Sequence, residues 1–201
     1  MEIFVMAMLI ATGAYTLKSK DERRRITLLG SHLGNYQIEK LMETLTEGYL
    51  RALAENDPAR REQIWQLLDS SELKLCEQFS RFAAEFSKVA ELEARVSKLP
   101  VSIPFADKLF PASTFDLRKV LNIHAQGITQ AAQNSLGRTP KGKAFALSAE
   151  LLLMQHSCHW FCKSKTVASA RMLLRHKTSY EQVLASVATE TRQAYCALLG
   201  A

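Results

Sequence analysis

The hydrophobic pattern opens with fifteen residues that carry no charge, Ile3–Leu17, which run directly into the basic cluster Lys18, Lys20, Arg23, Arg24 and Arg25. As a helix this run reaches about 22 Å at 1.5 Å per residue, short of the roughly 30 Å hydrocarbon core but near the lower limit for a thin bilayer with snorkelling flanks. We read it as a single-pass signal-anchor of the inner membrane. The positive-inside bias then puts the basic cluster and the body on the cytoplasmic side, so that residues 1–25 comprise an anchor and a membrane-surface flank. Ala7, Ala11 and Ala14 share one face, which permits close packing against another helix. Two other readings use the same residues. A cleaved signal peptide carries its positive charge before the apolar run, whereas here Glu2 precedes it and the cations follow. A buried core helix accommodates an apolar run of this length without any membrane.

Beyond the cluster the apolar positions recur at helical spacing, and no period-2 alternation marks a strand. Ile38, Leu41, Leu45, Tyr49 and Ala52 form one stripe and predict a helix over residues 36–55, with Gly30 and Gly34 loosening the connection before it. Asp57-Pro58 reads as an N-cap followed by proline at the first helical position. It opens a long helix to about Lys98, in which Trp65, Leu68, Leu75, Phe79, Phe82, Phe86, Val89 and Val96 recur in steps of three and four, interrupted by Glu72 and Glu93. That spacing approaches a heptad repeat, and the turn near Asn56 folds the two helices into an antiparallel, coiled-coil-like hairpin over residues 26–99. A stripe this rich in phenylalanine is packing surface rather than a ligand box.

Pro100, Pro104 and Pro111 break the pattern and mark residues 100–113 as a linker. Ser113 with Asp116 resembles a capping box and opens a helix to about Leu136; the turn Gly137–Pro140 separates it from a helix over 143–176, with a break near Ser164. Thr178 with Glu181 gives a second capping signature before a last helix whose stripe is Tyr180, Leu184, Val187, Thr191, Ala194 and Leu198. Residues 114–201 thus read as a three-helix bundle, and the whole chain as all-α: anchor helix, long hairpin and C-terminal bundle.

Composition adds little to this frame, but charge does. With 47% hydrophobic and 23% charged residues in 201, the chain is too apolar to be disordered. Residues 1–112 carry 15 Lys/Arg against 16 Asp/Glu, whereas residues 113–201 carry 11 against only Asp116, Glu150, Glu181 and Glu190. The C-terminal half is basic through lack of acids. Arg138, Lys141, Lys143, Arg171 and Arg175 are its candidate contacts for an anionic partner, whether a membrane surface, an acidic protein or nucleic acid. As a helix-turn-helix the Arg138–Lys143 turn is poor, because the Ala144–Leu147 stretch that follows is apolar.

Local chemistry is sparse. The run from Gly137 through Gly142 and Lys143 departs from the phosphate-binding loop, for Ala144 replaces the magnesium-binding hydroxyl and no strand precedes it. Cys158, His159 and Cys162 share one helical face and suggest a soft-metal or redox site, yet no CxxC or second pair completes four ligands, and Cys158 also continues the stripe of Leu151, Met154 and Phe161. We therefore assign no metal, no cofactor and no catalytic residue. Cys76, Cys158, Cys162 and Cys196 lie in helical segments and read as reduced thiols. The expected function is a non-enzymatic, membrane-tethered helical scaffold or adaptor for protein–protein interaction, with a homo-oligomer as one form of it. The alternatives are a soluble helical nucleic-acid-binding regulator and a helical metal or redox protein.

Overall fold

One helix of the chain has almost no polar face, and the others are arranged around it. The computed structural model describes residues 2–100 and 103–200, so that Val101 and Ser102 of the proline-containing stretch lie outside it. In chain order the elements are α1 (Glu2–Leu33), α2 (Ile38–Ala54), α3 (Pro58–Phe86), α4 (Glu91–Ala94), β1 (Arg95–Ser97), α5 (Ala106–Leu109), β2 (Thr114–Asp116), α6 (Leu117–Gln133), α7 (Pro140–Cys162), α8 (Lys165–His176), α9 (Tyr180–Ser186) and α10 (Thr189–Leu199). The fold is all-α apart from β1 and β2, which pair antiparallel with Val96 opposite Phe115.

Helix α7 is the hub. Ala144, Leu147, Leu151, Met154 and Phe161 are buried on one side of it and Ala149, Leu153 and Trp160 on the other, as a helix apolar on more than one face requires. It packs against α1, α2, α6, α8, α9 and β1. Helices α2 and α3 form a hairpin, and α3 lies on α6, so that one continuous cluster of buried side chains runs from Leu29 to Leu199. Residues 26–99 and 114–201 share that core. Phe79, Phe82 and Phe86 sit at its centre, with the Phe82 and Phe86 rings tilted at 45° to each other, centroids 5.9 Å apart, and Phe86 edge-on to Phe161 at 6.2 Å.

Several helix ends differ from the sequence reading for identifiable reasons. Asp57 caps α3, its carboxylate accepting from Ala59 N at 2.9 Å, but the helix stops at Phe86 instead of reaching Lys98. Arg118 takes hold of the chain just beyond, donating to Val89 O at 3.0 Å while its guanidinium pairs with Asp116 at 2.8 Å. Val89 and Val96 remain buried, carried by a turn and by β1 rather than by a helix. Because Thr114–Asp116 is a strand, α6 starts from Asp116 and not from Ser113. Ser164 accepts from Val167 N and caps α8, dividing the long C-terminal helix. The second capping box is Ser179 with Gln182, one residue on from Thr178 and Glu181, which places Tyr180 and Val183 in the core. The final helix is two, α9 and α10.

The single-pass membrane placement is corrected by the structure. Among the described residues no helix is long and apolar enough to cross a membrane. The physical reason lies in the boundaries of the apolar run: the uncharged stretch is only fifteen residues long, α1 continues without interruption to Leu33, and any window of about 18 residues within it takes in Lys18 or the charges beyond it together with at least one more charge. Neither the inner-membrane location nor the transmembrane anchor is retained. Gly30 lies within α1 and does not break it, and the chain turns only at Gly34, whose N donates to Gly30 O at 2.8 Å.

Candidate functional site

Helix α8 leaves α7 at Ser164 and folds back along it, so that Ser169 meets His156 Nε2 at 3.0 Å and His176 Nε2 meets Gln155 Oε1 at 3.2 Å. The crease between them is an open groove of about 400 Å³. Helical spacing sets its lining: Gln155, His156 and His159 face it from α7, Arg171 and Arg175 stand one turn apart on α8, and His176 closes the end. Met172 and Leu174 supply its apolar part. No carboxylate lines this groove, and among the described residues neither Arg171 nor Arg175 pairs with an acid.

That imbalance acts on the imidazoles. Burial first, then Arg171 and Arg175, hold His159 below the ordinary histidine range, and burial with Arg175 does the same to His176. His156 is pushed down to about 4, by burial above all and then by Lys165 and His159, against a weaker opposing pull from Glu181. Its ring stacks on Tyr180 at 4.5 Å. The groove is thus a field of fixed guanidinium charge flanked by neutral imidazoles; His176 gives its one N–H to Gln155 Oε1, and His159 has one to donate into the groove.

A second polar group is sealed. His124 Nε2 lies 2.9 Å from Ser157 Oγ, which lies 3.2 Å from the Tyr195 hydroxyl and donates to Leu153 O at 3.0 Å. A serine beside a histidine is the start of a nucleophile–base pair, and sequence spacing gave no hint of it, since the two residues are on different helices. All three side chains are buried among α6, α7 and α10, with His124 held down to about 3 by burial first and then by His156. The group is a hydrogen-bonded chain inside the core, which fixes the mutual register of three helices.

The other residues singled out from sequence fall apart in space. Arg138, Lys141 and Lys143 sit at the N-terminal end of α7, whereas Arg171 and Arg175 lie beside His159, about 24 Å along the helix from Lys143. Lys143 is already engaged, 2.7 Å from Asp69 and 2.5 Å from Glu72; burial works against its charge, but these two acids outweigh that and its pKa is raised. Lys141 is exposed and Arg138 half-buried. In the basic flank, Arg25 turns inward, donating to Arg95 O at 2.8 Å and lying over the Phe161 ring at 5.4 Å, and Arg24 pairs with Glu93 at 2.8 Å. Lys18 reaches Glu22 at 3.9 Å, while Lys20 and Arg23 stay exposed. Cys158 Sγ approaches Met154 Sδ at 3.9 Å and His159 faces the groove; among the described residues no group of three or more His, Cys, Asp or Glu side chains is arranged to hold a metal.

The first half of α1 is the other exceptional surface. Ile3 is 82% exposed and Leu9 and Ile10 are each 68% exposed, and Phe4, Val5, Met6, Met8 and Tyr15 are likewise uncovered. Comparison with protein-family models, with curated proteins and with solved structures gives no match. The function is therefore argued from geometry.

Proposed function

We propose that the chain is a helical adaptor that binds another protein through the first half of α1. The observation that carries this is the exposure of Ile3–Leu17, an uncharged apolar helix surface that the body leaves in solvent. Contiguous apolar surface of this kind marks an interaction site, because leaving it hydrated forfeits about 25 cal/mol for each Å². The partner is a protein with an apolar groove and an acidic rim. The apolar groove receives the helix, and the rim matches Lys20 and Arg23, the two cations of the flank that have no carboxylate within the body among the described residues.

A photo-crosslinking residue at Leu9 tests this in cells producing the full chain. The expected result is one discrete adduct with a different protein, weakened by the double reversal Lys20→Glu and Arg23→Glu. An adduct of twice the chain's own mass would mean a second copy on this surface, and adducts confined to lipid would mean a bilayer; either overturns the adaptor reading.

A further inference from the structure

The groove between α7 and α8 combines features that the packing of the core does not require. Burial of apolar surface explains Met172, but it does not explain why both arginines of α8 face the same crease as His159 and His176 with no acid beside them. On a solvated helix face arginines are ordinarily offset by a nearby carboxylate; residues 165–180 contain none. The volume, about 400 Å³, is in the range of small-molecule pockets. Its lining combines the cations Arg171 and Arg175 and the imidazoles of His159 and His176 with apolar Met172 and Leu174, which flank the arginine row on either side of it along α8.

We propose that this groove binds a phosphomonoester, its phosphate held by Arg171 and Arg175 with N–H donation from His159, and its organic part resting on Met172 and Leu174. Guanidinium groups suit this role because their fork matches two phosphate oxygens at once, and their positions one turn apart let both address one group. The neutral His159 imidazole adds a donor without adding repulsion between cations. Burial first and then the arginine field hold the His159 and His176 rings neutral, and a phosphate dianion offsets the second, so its binding raises the affinity of His159 and His176 for protons. The groups facing those rings from the packed elements are Arg171, Arg175 and His156, with Lys165 and Glu181 acting on His156. Apolar contact with Met172 and Leu174 makes an organic phosphate a better ligand than the inorganic ion.

Titration calorimetry and histidine NMR on the full chain test this with phenyl phosphate and inorganic phosphate as probes. Phenyl phosphate is expected to bind saturably and more tightly than inorganic phosphate, to move the His159 and His176 resonances and to raise the pH at which they titrate. The double variant Arg171→Gln and Arg175→Gln, at exposed positions that leave the core intact, is expected to weaken it at least tenfold, whereas Arg60→Gln with Arg61→Gln on exposed α3 leaves it unchanged. No saturable binding of phenyl phosphate, equal weakening by the two double variants, or tight binding of an oligonucleotide with no response to phenyl phosphate would overturn the assignment.

Discussion

Glu72 of α3 and Lys143 of α7 form an ion pair 2.5 Å long across the core, with the Glu72 side chain 3% exposed. Tyr49 of α2 completes the arrangement, its hydroxyl donating to Glu72 Oε1 at 2.5 Å, so that three helices meet on one carboxylate. A glutamate at a stripe position of α3 is tolerated only because both partners are there. Lys143→Met leaves that charge buried and uncompensated, and is expected to cost about 3–5 kcal/mol in urea denaturation. Adding Glu72→Gln to Lys143→Met is expected to recover part of the loss. A Lys143→Met protein as stable as the parent would mean that Glu72 takes up a proton or reaches water.

The phenylalanine row is the other structural bond between α3 and the rest. Phe82 is fully enclosed, with ring partners Tyr36 at 6.1 Å, Phe79 at 5.7 Å and Phe86 at 5.9 Å. Phe82→Ala removes a whole ring from a close-packed site and is expected to destabilise by about 3–5 kcal/mol. Thermal unfolding checks it: a melting temperature within a degree or two of the parent's would show that the surrounding rings collapse into the space.

Periodicity made the buried faces readable well before their ends were. The spacing of Leu75, Phe79, Phe82 and Phe86 dictates a face, and that face is buried. The ends depend on distant residues: α3 stops where Arg118, thirty-two positions beyond Phe86, engages Val89 O, and no local pattern near Ser87 announces it. Strands of three residues such as Arg95–Ser97 are too short to show alternation, so β1 and β2 were invisible. Ile3–Leu17 is legible as apolar, but its fifteen residues fall short of a span once the adjoining charges from Lys18 onward are included. In the groove, Arg171 and Arg175 were recognisable from their spacing. The histidines that join them were not, because His159 and His176 meet only through the fold of α8 back on α7.

Gly127 on α6 permits the approach of two polar side chains that fix the C-terminal helices. A Cβ at that position would overlap Glu150 Oε2 and Thr191 Oγ1, both of which belong to buried side chains. Glu150 in turn accepts from Ala188 N at 2.9 Å at the start of α10, so there is no flexible side-chain end free to retreat. Gly127→Ala is expected to destabilise by about 1–3 kcal/mol through overpacking, although alanine is the better helix former. An increase in melting temperature would show that α6 and α10 separate without cost.

Acid should unfold the chain through its buried imidazoles. His124 and His156 are held to about 3 and about 4 in the folded protein, mainly by burial, against an ordinary value of 6.5. Between those values and 6.5 the unfolded chain binds more protons than the folded one, so stability rises with pH across that interval. The contribution is complete above pH 6.5 and is lost as pH falls toward 4, on the order of 3 kcal/mol for each ring. Glu150 opposes this: burial raises its pKa, and it takes up a proton more readily folded than unfolded as the solution is acidified. His159 and His176 act in the same direction as His124 and His156, and the melting temperature is expected to fall between pH 6.5 and 4. In His156→Phe the fall should shrink, whatever the variant's stability at neutral pH, because one of the two most strongly depressed rings is gone, while His124, His159 and His176 still act in the same direction. An unchanged pH dependence in that variant would place the acid sensitivity in other groups.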